Sequence, residues 1–471
     1  MIQVDLAIVG AGPAGLAAAI QARELSVDTL VLDENAAAGG QIYRQPPRDF
    51  DVLPTLMGPT FARGRALLAA ARAAGVEVRF ESVVWSLDEQ LNLELVSSAG
   101  PETVYARRVI VAAGAYDRPV PVSDWTLPGV FTVGGLQNLL KTQSIVAGRR
   151  VLLAGTGPLL LVVASQVAAT GVELIVTDPV PRRAVITRLP AMIGEWSLLR
   201  EGAGYHWNLM RRGSRWLSPY VVSAIGGDGR VEQATVARVD ASWRRVPGTE
   251  RTFEVDAVGL GYGLLPSLEL LRLAGCELRY DDTMSAWLPV VDDEGTTTIP
   301  GLAVAGDGAG IAGAMAAVEQ GRVAAIAAAR DLGRVDASTA RDLQRPSRAR
   351  LKRLDRFRAA IDSLYAPRPG LTELATPDTT ICRCEEVTAS EIDDAIAAGA
   401  GDIELLKIWT RVTMGPCQGR MCIPALAERL RSRTQGRPAL PRARPPCKPL
   451  PVGWLNGASQ SAASPSQPRA L

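Results

Sequence analysis

Residues 4–35, "VDLAIVGAGPAGLAAAIQARELSVDTLVLDEN", leave few folds open. An apolar strand runs into Gly10-Ala11-Gly12-Pro13-Ala14-Gly15, a helix of small residues follows, and a second apolar run ends at Asp33-Glu34. Each position has a physical task. Gly10 permits a tight turn, Gly12 lets the backbone approach a pyrophosphate, and Gly15 lets the helix lie close on the sheet. The helix start offers free N–H groups to phosphate. Asp33, with Glu34 as the adjacent alternative, is placed to take ribose hydroxyls. Strand, turn, helix, strand and acid fall in order, which predicts a βαβ unit that holds a dinucleotide.

The pattern restarts after Gly148, with strand "RRVLLAG", turn "GTGPLL", helix "LLLVVASQVAATG" and strand "VELIVTD". Gly155, Gly157 and Asp178 stand where Gly10, Gly12 and Asp33 stand, and both acids follow their first glycine by 23 residues. Two departures matter. Leu160 replaces the third glycine and is expected to push the helix from the strand and crowd a phosphate, and Pro158 enters the first helical turn. Asp178 disfavours a 2′-phosphate. This second unit is read as a weak NADH site, as a site for another adenine nucleotide, or as purely structural.

Composition narrows the class. Hydrophobic residues make up 47% of the 471 and glycines number 45, as suits an α/β protein with close backbone contacts. Lys+Arg 51 against Asp+Glu 49 leaves no electrostatic footprint for nucleic acid. The apolar run 151–169 has the length of a membrane span, but its Gly-Thr-Gly-Pro and the polar Thr156, Ser165 and Gln166 make it a strand, a turn and a helix. No span is predicted. The first residues read as a strand without a secretory signal, so a cytoplasmic location is expected and structural disulfides are not. His206 is the single histidine and residues 1–330 hold only Cys276, so neither a His-based acid–base pair nor a redox dithiol can be built there. No catalytic residue is assigned.

Four of the six cysteines fall within residues 382–422, as Cys382-x-Cys384 and Cys417-x4-Cys422. Between them Thr388 and Glu391 form a capping-box pattern that opens a helix ending at Gly399. A second helix is expected over roughly 402–411, and Pro424 suits the first turn of a third. Four thiolates can hold Zn²⁺ or an iron–sulfur cluster, and neither pair has the CxxC spacing usual for structural zinc. Cys384, between Arg383 and Glu385, should lie near solvent. Cys276 is expected in a core, and Cys447 in a Pro/Arg/Ser-rich tail that reads as disordered.

Two further segments complete a resemblance. "RRVIVAAGAYDRPVP" (107–121) ends a strand at Ala112-Ala113-Gly114, and "TTTIPGLAVAGDGAG" (296–310) ends one at Gly306-Asp307-Gly308. Together with residues 4–35 they resemble the fingerprints of two-dinucleotide-binding-domain flavoproteins, the glutathione and thioredoxin reductase families. The resemblance implies FAD, with Gly306 and Asp307 at its ribityl–phosphate portion and Ala113 and Gly114 on its pyrophosphate side. It also places "GGQIY" (39–43), with Gly40 and Gln41, near the isoalloxazine. The spacing within "CRCEEV" and "TMGPCQGRMC" resembles the [2Fe–2S] domain of the bacterioferritin-associated ferredoxin type, which implies Cys382, Cys384, Cys417 and Cys422 as ligands.

The combination, from Gly10 to Cys422, resembles the large component of multi-subunit amino-acid dehydrogenases. That group includes D-hydroxyproline dehydrogenase, the opine oxidase A-subunit, the hydrogen cyanide synthase B-subunit and dye-linked proline dehydrogenase alpha. The resemblance implies an α/β flavoprotein with two Rossmann-like units and a small helical [2Fe–2S] domain. The expected division is an FAD-binding domain at 1–147 and 256–330, a second nucleotide domain at 148–255, a helical linker at 331–375, a [2Fe–2S] domain at 376–432 and a disordered tail at 433–471. The implied role is electron relay. The donor would be a partner flavoprotein subunit carrying the amine-oxidising site. A small ferredoxin-like protein would be a further partner, and a quinone or dye the acceptor. A self-sufficient NADH-dependent reductase is the alternative, and a zinc-holding scaffold a third reading.

Overall fold

The computed structural model of the chain describes residues 2–46, 54–434 and 439–454. Strand β1 (Ile2–Val9) lies between two parallel partners, β2 (Thr29–Leu32) and β3 (Gly100–Val111). Helix α1 (Pro13–Glu24) joins β1 to β2 and buries a face of alanines with Gly15 and Leu16, side chains small enough for close packing. Strands 92–97 and 83–87 extend the sheet antiparallel beyond β3, and Val78–Arg79 closes the other edge. A short antiparallel pair, 115–117 with 264–266, marks the crossings into and out of the second unit.

That unit is a five-stranded parallel sheet. It contains β4 (Val130–Thr132), then α2 (Val133–Gln143), β5 (Arg150–Gly155), α3 (Pro158–Ala169), β6 (Glu173–Thr177), a strand at 215–217, and β7 (Ala257–Gly261). The order is 215–217, β6, β5, β7, β4. The boundaries expected at 147/148 and 255/256 are corrected by this pairing. β4 and α2 precede residue 148 and β7 follows residue 255, yet β7 pairs with both β5 and β4 and draws all of them into the second sheet. The run 151–169 folds as β5, a turn and α3, and no helix among the described residues is long and apolar enough to cross a membrane.

The chain returns to the first sheet through β8 (Leu302–Val304), parallel to β3, and α4 (Ala314–Asp331), which packs on α1. Helix α5 (Ala337–Tyr365) starts at an Asp336 cap whose carboxylate accepts the N–H groups of Ser338 and Thr339 at 2.8 and 2.9 Å. The expected linker at 331–375 is thus helical over most of its length, as one helix from 337 to 365 and a short 3-10 turn at 369–374. The far end of α5 is no free connector: Ala360, Leu364 and Tyr365 join the core that holds Leu152, Ala154 and Tyr262 of the second unit.

The last domain has a two-stranded ribbon (380–382 with 387–388) and three helices, α6 (Ala389–Ala397), α7 (Ile403–Thr410) and α8 (Ile423–Thr434). Thr388 and Glu391 make the capping box, the Thr388 N–H donating to Glu391 Oε2 at 2.7 Å. Apolar Ile381, Ile392, Leu406 and Leu426 form its core.

The disordered tail is corrected for part of its length. Residues 433–434 end α8, and 439–454 run across the body as a strap. Leu440 packs against the core of the cysteine domain, Cys447 is buried in that of the first unit, and the Cys447 N–H donates to Trp85 O at 2.9 Å. Prolines lower the conformational entropy such a segment loses on ordering, which composition-based reasoning about disorder overlooks. Residues 455–471 lie outside the described residues.

Candidate functional site

The first site gathers at the carboxyl ends of β1, β2, β3 and β8, where open α/β sheets place ligands. Strand ends are tied together there: Gly10 N–H to Leu32 O at 2.8 Å, Ala112 N–H to Val9 O at 2.8 Å, and Ala305 N–H to Val111 O at 3.1 Å. Gly10 has φ +106°, and a side chain on it would strike the Ala112 carbonyl. A Cβ on Gly15 would fall on the Gly10 carbonyl, so the helix can start this close only with glycine. Across the turn, a Cβ on Gly40 would lie 2.9 Å from the Gly12 Cα, so two bare backbone segments face each other where a pyrophosphate is expected. Asp33 is buried and accepts the Ala11 N–H at 2.6 Å and the Asn35 N–H at 2.8 Å, while Glu34 is exposed and pairs with Lys448 of the strap. Asp307 Oδ1 accepts the N–H groups of Ala312 and Gly313 at 2.8 and 3.0 Å, and Oδ2 has no partner among the described residues. Gly306 N–H is held by Gln320 Oε1 at 3.0 Å, whereas Ala113 is exposed and Gly114, at φ +71°, has open space beside it. The bare rim, the ribose-side acid and the free oxygen of Asp307 fit a flavin dinucleotide.

Sequence reasoning missed the residues that face the Gly40–Gln41 loop from the second unit. On α2, Asn138 Nδ2 donates to Gln41 Oε1 at 2.9 Å and Lys141 Nζ to Ile42 O at 3.3 Å. Burial first, then the positive charge of Arg44, pushes Lys141 down to about 8. Nearby, burial raises the carboxyl of Asp117 although the Gly134 N–H donates to it at 3.3 Å. The only signal in the sequence is that Lys141 is one of four lysines in the chain.

The second unit keeps its glycine turn but not an open cleft. Gly157 has φ +89°, and a Cβ there would meet the Tyr365 ring at 3.9 Å, so the end of α5 lies beside the turn. Leu160 is buried in the core beneath the sheet. Asp178 is buried too, accepting Val180 N–H at 2.9 Å and the Thr156 hydroxyl at 3.3 Å. Burial pushes its carboxyl up to about 7. A buried acid held towards its neutral form, with Oδ1 engaged by its own chain and a tyrosine ring beside the turn, is poorly placed to take a ribose.

The cysteine domain brings all four predicted cysteines together. All four are free thiols, Cys382 hydrogen-bonded to Cys422 and Cys384 to Cys417, and Cys384 lies within electrostatic reach of Cys382, as Cys422 does of Cys417. The Cys422 bond and the N–H groups of Thr413, Glu385 and Cys384 hold the Cys382 thiol down at about 5, the thiolate form a metal needs. Cys384 is exposed and Cys422 buried. Among the described residues no three His, Cys, Asp and Glu side chains are already placed to hold a metal ion. Thiols grouped by twos suit a cluster of two irons. Gly415 has no room for a side chain, since its Cβ would fall on that of Cys384. Glu386, Arg411, Thr413 and Gln418 all have positive φ, a concentration of strain of the kind found at ligand-holding loops. Trp125 Nε1 donates to Thr380 O at 2.7 Å and Arg383 stacks on the Trp125 ring, which docks the domain on the body. Cys276 is buried in the first unit's core, and His206 is exposed with its ring edge-on to Trp216 at 5.9 Å.

Comparison with known proteins agrees with both kinds of domain. A family model described as pyridine nucleotide-disulphide oxidoreductase matches residues 4–321, and one described as BFD-like [2Fe–2S] binding domain matches residues 380–432. The opine oxidase A-subunit of Agrobacterium tumefaciens (strain Ach5) is 38% identical over 436 residues, 90% of this chain and 85% of that protein. Hydrogen cyanide synthase subunit HcnB of Pseudomonas protegens is 33% identical, over 94% of this chain and 96% of that protein. Among solved structures, L-proline dehydrogenase from P. horikoshii matches with a TM-score of 0.67 at 20% identity, over 96% of this chain and 79% of the other. Thioredoxin reductase of T. acidophilum matches with 0.54 at 21% identity, over 70% and 99%. These two share the fold. The chain belongs to the pyridine nucleotide-disulphide oxidoreductase family, in the group that joins this fold to a BFD-like [2Fe–2S] binding domain and contains the opine oxidase A-subunit and hydrogen cyanide synthase subunit HcnB.

Proposed function

We propose that this chain is the FAD- and [2Fe–2S]-carrying subunit of a multi-subunit amino-acid oxidoreductase, passing electrons from a partner flavoprotein subunit to an external acceptor. The observation that carries the reading is the state of the second cleft. The Tyr365 ring lies beside the Gly157 turn, and burial pushes the Asp178 carboxyl up to about 7, which weighs against a charged ribose acid and a nicotinamide donor in this unit. Residues 1–330 also lack a redox dithiol and a histidine pair, which agrees with substrate chemistry occurring on another subunit. Two of the relatives described above are themselves named as subunits.

In this reading Asp33 takes the adenosine ribose, the backbone at Gly10, Gly12 and Gly40 lines the pyrophosphate, and Asp307 Oδ2 takes the ribityl chain. Cys382, Cys384, Cys417 and Cys422 hold the cluster. Bound together, a flavin and an iron–sulfur cluster supply the exchange between two-electron and one-electron transfer. Lys141, Asn138 and Gln41 fix the loop beside the flavin site. The further partners of this reading are a small ferredoxin-like protein and a quinone or dye.

The test is anaerobic mixing of the purified holo-chain with NADH, followed at the flavin absorption band. No bleaching is expected with NADH, and bleaching by an amino acid once the partner subunits are present. Rapid bleaching by NADH alone would make the chain a self-sufficient NADH-dependent reductase instead.

A further inference from the structure

Where the first unit, the cysteine domain and the strap meet, they line a half-open cavity of about 580 Å³, within the range of roughly 300–1,000 Å³ that small-molecule sites occupy. It is not part of the FAD cradle, and none of the four predicted ligand cysteines lines it. Three pieces of chain far apart in sequence build its walls. Tyr116 and Trp287 come from the first unit, Met414 and Gln418 from the loop that carries Cys417, and residues 440–447 from the strap.

Its charge is one-sided. Glu269 is the single acid of the lining, and Arg420 takes it. Arg411 is paired with Glu385 at 3.0 Å, and Arg272 donates to the Pro441 carbonyl. Lys407, Arg442 and Arg444 also line the cavity, and their side chains have no carboxylate partner among the described residues. The strap is held by its backbone instead: Cys447 O accepts from Arg420 at 2.9 Å, Pro446 O from Gln418 at 2.6 Å, and the Arg442 N–H donates to Glu404 at 3.0 Å. Folding therefore spends the strap's peptide groups on closing the cavity and leaves three cations on its wall. Lys407 is half-buried and Arg442 and Arg444 reach solvent, so the open side of the cavity carries a net positive potential that a bound anion answers.

The wall also offers a fixed aromatic surface. Tyr280 meets Trp287 edge-on, with ring centroids 4.9 Å apart and an interplanar angle of 79°, which sets the orientation of the indole before any ligand arrives.

We propose that this cavity binds a small planar anion, an aromatic ring system bearing an acidic group. Lys407, Arg442 and Arg444 would answer the charge, and Trp287 and Tyr116 would flank the ring. The proposal does not depend on electron relay.

The experiment is equilibrium dialysis of the oxidised, full-length holo-chain without substrate. The probes are 2,6-dichlorophenolindophenol, a planar anion, and methylene blue, a planar cation of similar size. One equivalent of the anion should bind per chain. Charge reversal at Lys407→Glu with Arg444→Glu should weaken it by about tenfold or more and favour the cation. The neutral pair Lys407→Gln with Arg444→Gln should give an intermediate loss, and it serves as the readout if the reversed variant fails to retain its cofactors. Equal anion binding by wild type and the neutral pair, or no saturable anion binding by the wild type, would overturn the proposal.

Discussion

At residue 417 a thiolate and an alcohol separate the two cofactors of this chain. Cys417 meets Cys384 in one of the two thiol pairs and lies on no element of the FAD cradle. Cys417→Ser should remove iron and acid-labile sulfide and abolish electron transfer to dyes, while FAD content measured on the same sample stays at the wild-type ratio. Unchanged dye reduction would sink the relay. Asp178 gives a second prediction at this scale. Its carboxyl is raised to about 7 by burial, against roughly 3.9 in an unfolded chain, so the fold favours the protonated form. The contribution of that form to stability is complete below about pH 4. It is lost as pH rises through 7, a difference on the order of 4 kcal/mol at most. Asp178→Asn keeps an oxygen for the Val180 N–H and carries no charge. Thermal midpoints should therefore show the variant gaining on the wild type between pH 5 and pH 8, and equal gaps at both would refute this. Gly10, Gly15 and Asp33 were legible from sequence because their tasks are set by backbone geometry within a single βαβ unit. Asn138 and Lys141 were not, because they meet residues 41 and 42 only after two sheets have formed.

Between elements, the tightest constraint lies where α4 crosses α1. A Cβ on Gly321 would strike the Ala14 carbonyl, so the two helices touch through backbone at the base of the FAD cradle. Gly321→Val should push them apart at a cost of about 1–3 kcal/mol, as overpacking usually does. A lower melting temperature and a lower FAD-to-protein ratio would report it, and full FAD retention would show that the crossing does not shape the site. Helices with local signals were readable: the Thr388–Glu391 capping box and the first turn after Cys422 fall as expected. The domain boundaries were not. β4 is three residues long with no alternation of its own, and only its pairing with β7 reveals its sheet. The stretch holding α5 reads as a helical linker, while the residues that anchor it on the second unit, Phe357, Ala360, Ile361, Leu364 and Tyr365, all lie in its C-terminal third.

Taken as a whole, the molecule is fastened by a strap that composition alone marked as disordered. It joins the cysteine-domain loop at Gln418 and Arg420 to the first unit at Trp85 and Glu34. Ending the chain at residue 438 should leave both cofactors bound but loosen the cysteine domain. Limited proteolysis between the domains should speed up, and the loss should be larger than for Lys448→Ala, which removes only an ion pair at the surface. Equal protection of full-length and shortened chains would show that the docking contacts at Trp125 suffice without it.

The strap also sets a timetable. A chain leaves the ribosome from its first residue to its last, and domains fold as they emerge. Residues 440–447 thus arrive after every other wall of their cavity has been made. A ligand of that cavity has an open door throughout synthesis and a narrower one afterwards, so it should exchange more slowly with the full chain than with one ended at residue 438.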